Sequence, residues 1–246
     1  MGRPLAILLV ILLIVGVFAG CGPDPDKVQE DFLAIMDQPA SLETVKEATD
    51  YLDKYLPKMD KAYANAMVHK LEHYILGFNQ EGIVYNDWIK KYKRYLDPQL
   101  LEFYQIMARE QESPMAVDAV LKLSWEELAQ RTYELEQFIQ ANKDYILIKD
   151  DFTWIYGKYV NAMVMGTTGT PVFDYKTHEF SDSARTAYAA FLNKYPDSTT
   201  AWALTEYFTY LSSIDYTMDY NNKDTSKIFF DTCDWLVTES GKRVFQ

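Results

Sequence analysis

Cysteine is nearly absent: the chain has two in 246 residues, Cys21 and Cys233. A small secreted fold stapled by several disulfides is thereby excluded, and the body must hold by packing. Positive charge is also short, with 24 Lys and Arg against 36 Asp and Glu and a net charge of −12. Such a surface repels nucleic acid and anionic lipid over most of its area, so nucleic acid is not expected as a partner. Segments alternating apolar and polar with a two-residue period are scarce, which argues against sandwiches and barrels. The apolar run Leu5 to Val15 falls short of the roughly 18 residues that favour a spanning helix.

What is present begins with Arg3, that apolar run, and then Gly16, Val17, Phe18, Ala19, Gly20 and Cys21. A cation, an apolar middle and small residues ahead of a cut form the order of an export signal, predicted here over residues 1–20. Ala19, Gly20 and Cys21 resemble the lipobox of bacterial lipoproteins, with Phe18 where that family usually has an aliphatic residue. The resemblance implies that the Cys21 thiol is acylated and that the mature protein sits on the extracytoplasmic face of a membrane in the bacterial cell envelope. Two acyl chains hold stably, since each buried methylene contributes about 0.8 kcal/mol and one chain alone is marginal. Residues 21–26 then read as a tether, and losing Arg3 with the leader takes the charge from −12 to −13.

The mature chain predicts an all-α fold, either a helical-hairpin array or an irregular bundle, with an N-terminal helical region at 27–166 and a C-terminal one at 182–246 packed on it. Asp26 caps a helix through Met36, and Ser41 caps one over Leu42–Tyr55. A third runs from Met59 to Leu76 and exits at Gly77. Asp97-Pro98 and Ser113-Pro114 each read as a cap followed by Pro at the first helical position, and Ser124 with Glu127 as a capping box. Phe152, Ile155, Tyr156, Tyr159, Val160 and Met163 share a face of a helix ending at Gly166, while Tyr145 to Ile148 reads as a short strand. The segment Thr167 to Ser181 is the longest without helical pattern and marks a subdomain boundary or loop. Its Thr-Thr-Gly-Thr-Pro lacks the Lys of a phosphate cradle, which favours a plain connector.

Tyr51 to Tyr55 before Pro57, and Phe191 to Tyr195 before Pro196, look alike and suggest a duplicated hairpin. Ala184, Tyr188, Pro196 and Trp202 fall at tetratricopeptide spacing, so residues about 184–210 resemble such a repeat. That resemblance implies recognition of a protein or peptide on a concave helical surface.

His69-Lys70-Leu71-Glu72-His73 resembles the H-x-x-E-H signature of the inverzincin peptidases. It implies His69 and His73 as zinc ligands and Glu72 as general base, with no downstream ligand assignable. Helical geometry points elsewhere: at about 100° per residue, His69 and His73 lie about 160° from Leu71 on either side, away from the apolar stripe. That predicts a solvated pair, unless a second helical layer covers the face shared by Ala62 and Ala66. The basic cluster Lys90-Lys91-Tyr92-Lys93-Arg94 reads as a solvated helix end or a contact for anionic lipid or wall polymer. Cys233 reads as a small core residue. Trp202, Tyr207, Tyr210, Tyr216 and Tyr220 cluster in sequence and are the candidates for an aromatic ligand-binding groove. The principal reading is a non-catalytic binding or assembly module without a cofactor. The alternatives are a zinc hydrolase and a glycan- or small-ligand-binding protein.

Overall fold

The computed structural model describes residues 22–246. The leader and Cys21 lie outside the described residues. Ten α-helices run through the rest: α1 (Pro25–Met36), α2 (Leu42–Tyr55), α3 (Lys61–Phe78), α4 (Tyr85–Tyr92), α5 (Pro98–Glu112), α6 (Trp125–Ala141), α7 (Lys149–Met165), α8 (Asp182–Lys194), α9 (Thr199–Ser213) and α10 (Lys223–Arg243). Two short antiparallel hairpins interrupt them, β1 (Ala116–Val117) with β2 (Val120–Leu121), and β3 (Gly166–Thr167) with β4 (Thr170–Pro171). The fold is all-α. None of the helices among the described residues is long and apolar enough to cross a membrane.

Local chemistry places most helix starts. Asp24, Ser41, Asp60, Asp97, Ser124, Ser181, Ser198 and Asn222 each accept a first-turn amide, so eight of the ten helices carry a side-chain cap. Each such cap contributes about 1 kcal/mol. The Ser124–Glu127 capping box is complete in both directions. Other expectations are corrected. The first cap is Asp24 in place of Asp26, so helix begins inside the stretch read as tether. Gly77 stays within α3, which runs on to Phe78. Ser113-Pro114 opens no helix, because the Ser113 hydroxyl and carbonyl accept from Arg131 on α6 and the chain turns into β1. Residues 146–148 form one 3₁₀ turn leading straight into α7.

Helices α1, α2 and α3 pack together, α4 lies on α5, and α6 packs on α7 and α8. Helix α10 returns along α7 as well as α9. A stack of hairpins would touch only its neighbours in sequence. The return of α10 onto α7 departs from that pattern and packs elements from both sides of the connector after Gly166 against each other. Glu136 of α6, wholly buried, accepts from the Thr199 and Thr200 amides at 2.7 and 2.8 Å and from the Thr200 hydroxyl at 2.7 Å. Its charge is held by the positive end of α9.

Helix α7 organises the C-terminal half. Gly166 stops it at φ 73°, where a Cβ would lie 2.3 Å from the Thr170 carbonyl oxygen, so glycine is required. The last turn leaves carbonyls without helical partners. Tyr188 Oη donates to the Met163 carbonyl at 2.8 Å and Tyr207 Oη to the Val164 carbonyl at 2.6 Å, while the Gly166 amide closes on Ala162. Buried phenols thus finish the helix from outside.

Candidate functional site

The H-x-x-E-H residues do not lie on a solvated face. Helix α3 is covered on both sides: Leu71 and its neighbours face the core, and Phe103 of α5 meets the His69 ring edge-on at 6.1 Å. His69 is 7% exposed and Glu72 2%, while His73 lies at the surface. The second layer that the helical wheel left open is the one realised.

The first turn of α7 brings Asp151 to the two rings. Its carboxylate oxygens lie 3.3 Å from His69 Nε2 and 3.0 Å from His73 Nε2. On the far side of His69, Nδ1 faces Glu72 Oε2 at 3.0 Å, and the other Glu72 oxygen accepts from Tyr85 Oη of α4 at 2.7 Å. The two imidazoles meet edge to face, 4.5 Å apart. One ligand atom each from His69, Glu72 and His73 lies within 4.8 Å of the others. Among the described residues neither carboxylate pairs with Lys or Arg; both face imidazoles.

Ionisation follows from this placement. Burial by itself lowers the His69 ring, but the hydrogen bonds to Asp151 and Glu72 together outweigh it and raise the ring to about 9. Burial pushes the Asp151 carboxyl up, and its hydrogen bonds to His69 and His73 prevail to hold it well below the usual carboxylate range. Tyr85 stays protonated far above its ordinary range, through burial and then the neighbouring Glu72 charge. Perturbed groups gathered in one place mark a site. Asp151 carries no spacing signal in the sequence; only the packing of α7 beside α3 reveals it.

A second feature is a cleft of about 700 Å³ between the two hairpins, α7 and α10. Tyr175, Tyr220 and Phe230 form its aromatic wall, Lys158 and Asn161 of α7 its polar edge. The hairpin tips are tied by the Gly169 amide donating to the Ala119 carbonyl at 2.7 Å, and by the Leu121 amide donating to the Thr170 hydroxyl at 3.1 Å. That engagement makes Thr-Thr-Gly-Thr-Pro a hairpin connector with its glycine amide already used.

Of the aromatic candidates only Tyr220 reaches this cleft, where it packs 5.1 Å from Tyr175. Tyr207 is wholly buried. Trp202 meets Trp235 edge-on and carries the Arg243 guanidinium over its ring, 4.0 Å from the ring centre. Tyr210 stacks on Phe229, and Tyr216 lies under Arg185. The five do not converge on one groove. In the basic cluster Tyr92 is core, Lys91 pairs with Asp53 at 3.1 Å and Arg94 covers Tyr95. Cys233 is buried, and burial pushes its thiol far up, as befits a packing residue. No family model matches the chain, and neither does any curated protein or solved structure.

Proposed function

We propose that this is a lipid-anchored protein of the bacterial cell envelope, acylated at Cys21 on the extracytoplasmic face of a membrane, whose helical body binds a protein or peptide partner without chemistry of its own. The observation that carries the binding role is the hairpin cleft, with an aromatic wall and a few polar groups at its edge. Clefts of that volume, mostly apolar with a small number of orienting polar groups, hold small ligands or a short anchoring segment of a protein or peptide partner. What supports binding over hydrolysis is Glu72: a general base needs an oxygen facing water, and both of its oxygens are engaged in the interior.

Two measurements test the reading. Cys21→Ser followed by fractionation is expected to release the protein from the membrane pellet; retention equal to the parent would remove the lipid anchor. A photo-crosslinking amino acid introduced at the exposed Phe230 is expected to capture a discrete partner in intact envelopes. Placement at Leu42, 77% exposed and outside the cleft, is expected to capture none. Identical products from both positions, or none from either, would count against the cleft.

A further inference from the structure

We propose that His69 Nε2, His73 Nε2 and the Asp151 carboxylate form a binding site for one divalent first-row metal ion of the zinc type, with Glu72 and Tyr85 as positioning residues. The inference is independent of the hairpin cleft and its partner.

Three observations carry it. The first is donor spacing. Metal bonds of about 2.0–2.2 Å set neighbouring ligand atoms roughly 2.9–3.5 Å apart around an octahedral or tetrahedral ion. Asp151 Oδ2 lies 3.3 Å from His69 Nε2 and Oδ1 lies 3.0 Å from His73 Nε2, hydrogen-bond distances that also fall within that interval. One carboxylate reaching both rings of an i, i+4 pair converts a helix-face doublet into a three-residue set.

The second is the support behind the ligands. A metal-bound imidazole nearly always gives its other ring N–H to a carboxylate or carbonyl, which fixes the tautomer and the ring plane. Glu72 takes that part for His69: its Oε2 accepts from Nδ1 at 3.0 Å, and Tyr85 Oη holds the opposite oxygen at 2.7 Å. His69 Nε2 is thereby directed toward Asp151. Glu72 was assigned by resemblance as a base; here it is a group that orients a ligand.

The third is charge. Two carboxylates, one fully and one largely buried, face imidazoles and no Lys or Arg among the described residues. Without metal the His69 imidazolium offsets one of the two carboxylates; a dication on neutral rings offsets both. His73 has about half of its side chain exposed, so an ion reaches the site from solvent and keeps coordination positions for water. Imidazole nitrogen with carboxylate oxygen favours zinc and its neighbours over calcium or magnesium, which take oxygen alone.

The test uses detergent-solubilised full-length protein stripped with chelator and then titrated with zinc chloride by calorimetry and with cobalt(II) by visible absorption. The expected result is one equivalent bound, on the order of micromolar affinity or tighter. His73→Ala and Asp151→Asn are each expected to abolish stoichiometric binding. Glu72→Gln is expected to weaken it about 10- to 100-fold and to alter the cobalt spectrum, a change that a purely structural residue would not cause. His178→Ala, the remaining histidine, is expected to bind as the parent does. A second measurement needs no variant: zinc is expected to protect the exposed His73, but not His178, from diethyl pyrocarbonate, read by mass spectrometry. Failure of the parent to take up an equivalent, unchanged affinity in Asp151→Asn, or equal modification with and without zinc would overturn the site.

Discussion

The two ends of α7 bury polar groups in opposite ways. At its start, Asp151 enters a set of ionisable side chains, His69, His73 and Glu72, that face one another and, among the described residues, no Lys or Arg. At its end, Tyr188 and Tyr207 are neutral phenols that finish the Met163 and Val164 carbonyls. The phenols complete a helix and have no chemistry left over. Carboxylates and imidazoles impose a desolvation cost that neutral packing residues avoid, and helix ends elsewhere in the molecule are capped at the surface for far less. Glu136 shows the structural version of a buried carboxylate, held by backbone amides of α9. Glu72 uses no amide and instead points an imidazole at Asp151. That difference singles out the start of α7.

The comparison breaks most visibly at Glu72. In metal-free protein Glu72→Ala leaves the His69 charge half-paired and the Tyr85 hydroxyl alone, and is expected to cost about 3–5 kcal/mol in urea unfolding. A loss below about 1 kcal/mol would mean that the charged set is not balanced as described. Alkaline pH tests the buried phenols, including those at the other end. Burial pushes Tyr210 and Tyr220 up to about 12, and it pushes Tyr188 and Tyr207 well above the ordinary tyrosine range. Unfolded tyrosines give up protons near about 10 while these folded ones keep theirs, so the unfolded state binds fewer protons above that pH. Stability is expected to be unaffected by these groups below pH of about 10 and to fall continuously from there toward about 12 and beyond. Denaturant midpoints measured across that interval check it; a flat profile would place the phenols in water. Tyr207→Phe is smaller, removing one hydroxyl and leaving the Val164 carbonyl only the weak Cys233 thiol donor at 3.7 Å, for about 1–3 kcal/mol. It is expected to leave zinc affinity unchanged.

How far these two ends were legible in the sequence follows from the range of the interactions. Ser41, Asp97-Pro98, Ser124 with Glu127, and Gly166 act within one turn, and each stands where its pattern predicts. Ser113-Pro114 has the same local form, yet its hydroxyl is taken by Arg131 from another helix, a competitor that no window around Pro114 contains. The helical wheel placed His69 opposite Leu71 correctly but read the polar side as water, because a wheel carries no information about α5 and α7 packing there. Asp151 is one acidic residue in a first turn, an ordinary dipole preference without its tertiary setting. The aromatic candidates failed to converge for a related reason. Nearness along the chain sends Tyr207 into the core and Tyr210 toward Phe229, while Tyr175 and Phe230, brought in by the connector and α10, complete the cleft around Tyr220.

The smallest effect tests whether the two ends are independent. Gly157 lies midway along α7, and a Cβ there would meet Val237 Cγ1 at 3.5 Å, an ordinary contact. Glycine inside a helix is less favourable than alanine by about 0.5–1 kcal/mol, so Gly157→Ala is expected to stabilise the protein by about that much. The substitution stiffens the segment joining Asp151 to the phenol-capped terminus without touching either. If each end acts locally, the thermal midpoint rises while zinc affinity stays at the parental value. A change in affinity beyond about twofold would mean that the pose of Asp151 depends on flexure of α7, and the contrast between its ends would become a coupling between them.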